Sequence, residues 1–358
     1  MIDNRFHPLT VAEITPETAD ASVIRFDVPE AVRPRFAFLP GQHLTLRHDI
    51  GGEDVRRSYS LSAAPQEDAV KICVKRIAGG RFSTWANEAL RPGDVVEAME
   101  PHGSFIRHPS APPGHIVGFA GGSGITPILS ILKATLLGNP DSRFTLCYGN
   151  RDASGVMFLE ELGALKNRFM QRLEVYHFLS AEAEDVHLFN GRMDRGKCDE
   201  ILETLIDPAG IDAAYLCGPG GMMDAAEAAL RAAGVAGDAI HAERFTADRS
   251  TADQEAFVAA MQTRAQGLQL SVTLDGRTRR IAFDAAAGNI LDSARIAGLR
   301  APFACKAGVC ATCRARVTAG EVEMAARYGL SDDEVAAGYV LTCQAIPAGE
   351  GVAVDYDA

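Results

Sequence analysis

Apolar and polar residues alternate over short runs in the first third of the chain, at Leu9–Ile14, Ser22–Val28, His43–Leu46 and Ala69–Lys75. A period of two turns one face of each run to a core and the other to solvent, the pattern of a half-buried strand. Turn-forming residues separate the runs, so residues 1–108 predict an antiparallel β-barrel. The pattern then changes. Short apolar runs at His115–Ala120, Phe144–Tyr148, Leu173–Leu179 and Ala213–Leu216 are interleaved with helical stretches at Ile128–Leu137, Val156–Lys166 and Met222–Ala233. Strand–helix alternation predicts a parallel, doubly wound α/β sheet over 109–245. From 267 the strand period returns. Leu268–Leu274 and Thr278–Phe283 flank Asp275-Gly276, a two-residue hairpin signal. Asn289 then opens a short helix through Ala297, which Gly298 ends. Residues 267–358 therefore predict a small α+β domain. The polar, alanine-rich 246–266 reads as a linker, although its composition permits some helix.

The eight cysteines fall into two sets. Cys73, Cys147, Cys198 and Cys217 are scattered, whereas Cys305, Cys310 and Cys313 lie within nine residues and Cys343 follows thirty later. The spacing Cys-x4-Cys-x2-Cys-x29-Cys is that of a plant-type [2Fe–2S] site. Iron in such a cluster needs tetrahedral sulfur. Three thiolates on one tight loop can wrap it, and the fourth must come from a distant segment. Structural zinc is the competing assignment, but zinc sites usually pair two Cys-x2-Cys knuckles and Cys343 has no second knuckle. Lys306, Arg314 and Arg316 flank the ligands and are candidates for docking an acidic partner face.

Two glycine-rich turns carry further chemistry. The run Gly121-Gly122-Ser123-Gly124-Ile125-Thr126-Pro127 leaves a strand and enters a helix, an arrangement that admits a pyrophosphate close to backbone N–H groups. The turns at Gly149-Asn150-Arg151 and Cys217-Gly218-Pro219 also follow strands, and in a parallel sheet ligands bind at that end. Arg151 suits a 2′-phosphate and so NADPH, whereas the adjacent Asp152 would favour a free ribose hydroxyl. In the first third, Arg57-Ser58-Tyr59-Ser60 offers a charged fork and an aromatic face. Gly79-Gly80-Arg81-Phe82-Ser83-Thr84 offers N–H groups and a hydroxyl at a helix start.

Composition narrows the class. The 358 residues are 47% hydrophobic and 23% charged, a globular profile long enough for two or three domains. With 35 Lys+Arg against 47 Asp+Glu the chain carries −12, which argues against nucleic-acid binding. There is no run of about 18 apolar residues to span a membrane, and the first residues lack the pattern of a signal peptide, so the expected location is cytoplasmic.

Together, Arg57-x-Tyr59-Ser60, the 121–127 turn, Cys217-Gly218-Pro219 and the C-terminal cysteines resemble the ferredoxin–NADP reductase family with a fused β-grasp ferredoxin. The stretches Pro40–Leu46, Gly79–Ser83, Ala120–Pro127, Tyr148–Arg151, Glu243–Phe245 and Ala336–Leu341 are most similar to the reductases that serve phenylacetyl-CoA epoxidase in phenylacetate degradation. Reductases of Rieske-type ketosteroid or aromatic-ring hydroxylases share the order and length. The resemblance implies FAD, a [2Fe–2S] cluster and NADPH as substrate, with electrons passed to an oxygenase component such as the di-iron part of an epoxidase. It implies that His43, Arg57, Ser58, Tyr59, Ser60, Val74, Lys75, Gly80, Arg81, Phe82, Ser83 and Phe245 hold the flavin. Gly121, Gly122, Asn150, Arg151, Cys217, Gly218 and Pro219 would face the nicotinamide nucleotide, and Thr126, Cys217 and Glu243 would lie at the reacting edge. A non-catalytic redox sensor is the alternative from another class; it would need no complete nicotinamide pocket.

Overall fold

A computed structural model describes residues 6–183, 185–245 and 252–358. The chain divides into two compact units, one ending at Glu243 and the other spanning Arg244–Ala358.

The first unit begins with six antiparallel strands: β1 (His7–Thr18), β2 (Ala21–Asp27), β3 (His43–Asp49), β4 (Asp54–Ser60), β5 (Val70–Lys75) and β6 (Val95–Ala98). Their order is β4-β3-β6-β1-β2-β5, and a bridge from Leu61 to Ile72 joins the two edges into a barrel. Alternate residues Leu9, Val11, Ile24, Leu44, Leu46, Ile72 and Val74 fill it, as the period of two requires. Helix α1 (Arg81–Glu88) adds Phe82 and Ala86 to that core.

The same unit continues through β7 (His115–Gly121), α2 (Ile125–Gly138), β8 (Arg143–Asn150), α3 (Leu159–Arg168), β9 (Leu173–Leu179), α4 (Arg195–Thr204), β10 (Ala213–Cys217), α5 (Gly220–Ala232) and β11 (Ile240–Glu243). The sheet is wholly parallel in the order β11-β10-β7-β8-β9, so its direction of winding reverses between β7 and β10. Helix α3 begins three residues later than its apolar pattern predicts. Phe158 adopts φ 61°, and its N–H is bound at 2.6 Å by the Glu17 carboxylate from β1. Barrel and sheet are pinned elsewhere too. The buried Lys133 ammonium on α2 lies 2.9 Å from Glu67 and 2.8 Å from Glu161, and the Ser130 hydroxyl donates to the Ala63 carbonyl at 2.6 Å.

The second unit contains α6 (Ala252–Ala265), β12 (Gln269–Leu274), β13 (Arg277–Ala282), α7 (Ile290–Ile296), β14 (Arg314–Ala319), β15 (Val322–Met324), α8 (Asp332–Ala336), β16 (Tyr339–Leu341), β17 (Ala345–Pro347) and β18 (Val352–Asp355). Five strands form a mixed sheet in the order β13-β12-β18-β14-β16, with β12 and β18 parallel, and α7 packs on it through Ile290, Leu291 and Ala294. Asp275 and Gly276 both take positive φ in the hairpin turn. The Asp357 carboxylate accepts from both their N–H groups, at 3.0 and 2.8 Å. The expected linker 246–266 needs correction where it is described. Ala252–Ala265 is helical, and Met261 and Ala265 are buried in the core of this unit, so apolar burial binds the segment's C-terminal end to the α+β fold. Residues 246–251 lie outside the described residues.

Candidate functional site

The crevice at the β7/β10 reversal is built from backbone contacts that only glycine allows. A Cβ on Gly124 would stand 2.0 Å from the Cys217 carbonyl oxygen, and one on Gly218 would stand 2.9 Å from Gly121 Cα. The two turns therefore meet at backbone distance. Gly122 takes φ +52°, and the Tyr148 hydroxyl donates to its carbonyl at 3.0 Å, which fixes the turn. Helices α2 and α5 both start here with no side chain capping them; the Ile125 N–H of α2 returns to the Gly122 and Ser123 carbonyls, whereas the Gly220 and Gly221 N–H groups that open α5 make no hydrogen bond among the described residues. A cleft of about 1070 Å³ opens from this point. Of the residues expected to face a nicotinamide nucleotide, Gly121, Gly122, Asn150, Arg151 and Pro219 line it. Asn150 Nδ2 is buried beside the Tyr148 hydroxyl at the edge of the cleft. Arg192, Met193, Ser180 and Met222 also line the cleft. Sequence reasoning missed them because they sit in irregular segments or carry no motif.

Thr126 and Cys217 do not line this cleft. Thr126 is buried in the first turn of α2, and its hydroxyl donates to the Ser123 carbonyl at 3.0 Å. Cys217 ends β10 beside Glu243 on β11. Burial, with the Glu243 charge adding to it, pushes its thiol well above the ordinary range.

Glu243 ends β11, in register with Cys217. Its Oε2 is buried with no hydrogen-bond partner, and burial pushes the carboxyl up to about 8. Its Oε1 lies 3.9 Å from His43 Nδ1 across the barrel boundary. His43 Nε2 in turn meets His102 Nε2 at 3.1 Å, while His102 Nδ1 lies 3.0 Å from the Glu100 carbonyl. A carbonyl can only accept, so His102 carries its proton on Nδ1 and its Nε2 is the acceptor. His43 then donates from Nε2 and presents Nδ1 as an acceptor toward the carboxyl. Burial holds His102 in its neutral form.

The barrel wall brings the expected flavin residues together. Val74 and Lys75 end β5, and His43, Ser58, Tyr59 and Ser60 share the β3–β4 ladder. Tyr59 and Phe82 pack with ring centroids 5.6 Å apart. Ser58 and Thr45 hydroxyls meet at 3.1 Å. The N-terminus of α1 has no side-chain cap, and a Cβ on Gly80 would press on Ile77 and on Ser83 Oγ at 2.5 Å. That leaves a tight, donor-rich cradle suited to a pyrophosphate. Two expected contacts are engaged differently. Arg81 pairs with Glu53 and the Ile50 carbonyl, which ties α1 to the β3–β4 turn. Arg57 is exposed and donates to the Arg56 carbonyl at 2.6 Å. Phe245 belongs to the second unit and is half-exposed there.

In the second unit the 303–313 loop wraps tightly, with positive φ at Lys306, Gly308 and Ala311. Its N–H groups turn inward: Ala307 N lies 3.3 Å from Cys305 Sγ, and Cys305 N lies 3.5 Å from Cys310 Sγ. Thr312 Oγ1 lies 3.2 Å from Cys310 Sγ. The thiols interact two by two, Cys305 with Cys310 and Cys313 with Cys343. The Cys310 thiol, with the N–H groups of Ala307, Val309 and Cys310, holds Cys305 down to about 6. The Cys313 thiol, the Gly308 N–H and Gln344 lower Cys343 likewise. Each iron of a [2Fe–2S] cluster takes two bridging sulfides and two thiolates, so two thiol pairs fit a dinuclear cluster. Among the described residues, no three His, Cys, Asp or Glu side chains converge to hold a single metal ion. The expected docking cations are largely committed: Lys306 pairs with Asp292 at 2.6 Å, and Arg314 pairs with Glu334.

Comparison with known proteins follows these pieces in order. Residues 8–106 match the oxidoreductase FAD-binding domain, 119–228 the oxidoreductase NAD-binding domain and 272–348 the 2Fe-2S iron-sulfur cluster binding domain. The chain is 43% identical over 354 residues to one of the subunits of the 1,2-phenylacetyl-CoA epoxidase of Escherichia coli K12, covering 99% of this chain and 98% of the relative. It is 33% identical over 353 residues to the ferredoxin reductase component of 3-ketosteroid-9-alpha-monooxygenase of Rhodococcus rhodochrous, covering 97% and 96%. Among solved structures, phthalate dioxygenase reductase has the same fold, with a TM-score of 0.60 at 24% identity over 99% of this chain and 98% of that one. No helix among the described residues is long and apolar enough to cross a membrane. Barrel, doubly wound sheet and β-grasp domain, with their FAD, NAD(H) and [2Fe–2S] motifs in this order, make the chain an oxidoreductase that belongs to the ferredoxin–NADP reductase family, in the branch with a fused C-terminal 2Fe–2S domain.

Proposed function

We propose that the chain is the NADPH-dependent reductase component of a multicomponent oxygenase, and that its partner is the di-iron component of a phenylacetyl-CoA epoxidase in the cytoplasm. The observation that carries this reading is end-to-end similarity, at 43% identity, to a polypeptide of such an epoxidase, and the meeting of Cys305 with Cys310 and of Cys313 with Cys343 supports it. When bound, a flavin exchanges two electrons with a nicotinamide and one at a time with an iron–sulfur cluster. The residues divide that work. The uncapped N-terminus of α1, with Gly80, Phe82 and Ser83, holds the FAD pyrophosphate; Tyr59, Ser60, Val74 and Lys75 line the ring; and Arg57 neutralises phosphate charge. Gly121, Gly122, Gly218 and Pro219 admit the nicotinamide nucleotide, and Asn150 faces it. Glu243, Cys217 and Thr126 shape the buried floor where the two meet. Glu243 is held neutral near pH 7 with His43 Nδ1 facing it, which provides a place for a proton next to the ring. The domain limits 1–108, 109–245 and 267–358 follow the three cofactors, with α6 assigned to the third.

NADPH is favoured over NADH by Arg151, which lines the cleft, while one oxygen of the neighbouring Asp152, Oδ1, is held by its own turn. It accepts from Ser154 Oγ at 2.7 Å and from Gly155 N at 3.0 Å. A ketosteroid hydroxylase partner is the second reading, supported by the full-length 33% relative. The test is reconstitution. The purified reductase with NADPH and the oxygenase component of phenylacetyl-CoA epoxidase should turn over phenylacetyl-CoA. Turnover only with a 3-ketosteroid hydroxylase would replace the partner assignment.

A further inference from the structure

We infer that His102 is a positioning residue for Glu243: acting through His43, it keeps one proton shared between the His43 ring and the Glu243 carboxyl, and that proton crosses from carboxyl to ring when negative charge arrives beside them. The inference rests on the flavin reading of the floor that Glu243 shapes, and deepens it by giving a part to a residue that no sequence motif marks. His43 and His102 are fixed against each other by their backbones. His43 N donates to the His102 carbonyl at 2.9 Å, and His102 N donates to the His43 carbonyl at 3.1 Å. Both side chains are buried, and the rings meet at 64° with centroids 4.3 Å apart. Gly103 keeps the far side of the His43 ring open: its φ is +127°, and a Cβ there would stand 3.0 Å from His43 Nδ1. Glu243 Oε1 lies 3.9 Å from that same nitrogen, about 1 Å beyond a hydrogen bond.

The row of rings has a closed end. His102 Nδ1 is committed to the Glu100 carbonyl, which cannot take up a proton, so His102 Nε2 can only accept. His43 therefore keeps a proton on Nε2 in either state. While the carboxyl is protonated, its O–H faces a bare Nδ1. When the proton leaves Glu243 Oε1 and bonds to His43 Nδ1, a carboxylate faces an imidazolium whose two N–H groups both have acceptors, His102 Nε2 and Glu243. One proton moves, no electron does, and the pair stays at net zero charge. Without His102 the ring is free to carry its single proton on Nδ1, where it donates to a carboxylate and favours ionised Glu243 outright. The groups around the pair leave the proton to it. Cys217, in register on β10, has its thiol held protonated by burial, and Ser60 pairs opposite His43 on β4. Helix α5, packed on β11, opens at this end with Gly220, Gly221 and Met222. The Glu100 carboxylate beyond His102 lies 2.9 Å from Arg35 and 3.4 Å from His7. Burial holds His102 neutral and keeps the Glu243 carboxyl protonated up to about 8, so the uncharged pair is the resting form.

The test reads protons on the holoprotein. Nitrogen NMR of histidine-labelled protein reports which ring nitrogen carries hydrogen, and infrared difference spectra follow the protonated-carboxyl band that Glu243→Gln removes. Wild type should show His102 protonated on Nδ1 and His43 on Nε2, and chemical reduction near neutral pH should erase the carboxyl band as the proton passes to His43. His102→Leu should move the His43 proton to Nδ1 and lower the carboxyl midpoint by roughly 1–2 pH units, the strength of one charge-assisted hydrogen bond gained by the carboxylate. His102→Gln, whose amide oxygen can accept from His43 Nε2, should keep both near wild type. The alkaline limit of NADPH:ferricyanide reduction should move with the midpoint. If His102→Leu lowers Tm yet leaves the His43 tautomer and the midpoint unchanged, His102 only fills space and the assignment fails. Should His102→Leu not fold, a wild-type His43 protonated on Nδ1, or a carboxyl band that persists on reduction, overturns it without the variant. Protein that shows the expected tautomers but binds no flavin would overturn the flavin reading and leave the proton pair standing.

Discussion

Gly124→Ala separates the geometry of the crevice from ordinary glycine effects. Gly124 has φ −62°, a conformation alanine adopts without strain, so backbone entropy alone would make the change mildly stabilising, by about 0.4–1 kcal/mol. The structure predicts the opposite sign. The new Cβ would stand 2.0 Å from the Cys217 carbonyl oxygen, 2.4 Å from its carbon and 2.8 Å from Gly218 N, all backbone atoms that cannot rotate away. Relief requires the 121–124 turn and the 217–219 turn to part by roughly 1 Å, a cost of about 1–3 kcal/mol for overpacking. At the size of the first unit each kcal/mol is worth about 2–4 °C, so Tm should fall by roughly 2–12 °C. The same displacement moves the phosphate-facing turn against the nicotinamide-facing one, and a misplacement of about 1 Å can cost on the order of 100-fold in rate. NADPH:ferricyanide reduction reads this at the flavin, without the cluster. kcat/KM should drop by that order while FAD content stays near stoichiometric. Gly122→Ala is the control: φ +52° imposes backbone strain of about 1–2 kcal/mol, but nothing lies within 4 Å of its Cβ. Its stability loss should come with a smaller loss of kcat/KM. A Gly124→Ala protein with unchanged or raised Tm and normal NADPH kinetics would refute the backbone contact and the crevice drawn from it.

Other parts of the account make independent predictions. Cys343→Ser removes one thiol of the second pair, so the visible bands of a [2Fe–2S] cluster should vanish and cytochrome c reduction should collapse while ferricyanide reduction persists; retention of the cluster bands would contradict that ligand set. Lys133→Met strips the buried ammonium from Glu67 and Glu161, whose carboxylates are part-exposed and can resolvate. Urea unfolding should therefore show a loss of about 2 kcal/mol, below the roughly 3–5 kcal/mol of a fully buried pair, and no loss would mean the pin is ornamental. Glu243 has its carboxyl raised to about 8 in the folded protein, so stability is full below the ordinary carboxylate range and is lost as pH rises toward 8. Glu243→Gln should remove that loss, on the order of 5 kcal/mol across the window, and parallel Tm–pH curves for the two proteins would show that Glu243 titrates normally.

Much of this was legible from the chain because it depends on local pattern. The expected strand Leu173–Leu179 is β9 to the residue, and the Cys305–Cys313 spacing marks a loop whose backbone N–H groups turn toward its thiols. Boundaries slipped where a tertiary contact overrode the pattern, as at Phe158, whose left-handed φ depends on Glu17 some 141 residues away. Helix α4 went unseen because only Cys198, Ile201 and Leu202 of its ten residues are buried, too weak a stripe to register. Short β11 gives no periodic signal either. Functional partners were harder than elements. His43 was identified by position, yet His102 lies 59 residues away in a segment of turns, and only the fold brings the two rings to 3.1 Å. Lys306 looked free for docking, and only the packed helix α7 shows that Asp292 holds it.

The central claim is that one chain collects electrons from NADPH at a flavin and stores them at a [2Fe–2S] cluster. The most direct test is an anaerobic titration of the purified protein with NADPH, and separately with NADH, followed by absorbance. The account predicts bleaching of the flavin band and loss of the cluster bands, with NADPH half-saturating at the lower concentration. A folded protein that shows no flavin, or no cluster, or neither reduced by either nicotinamide, would contradict it.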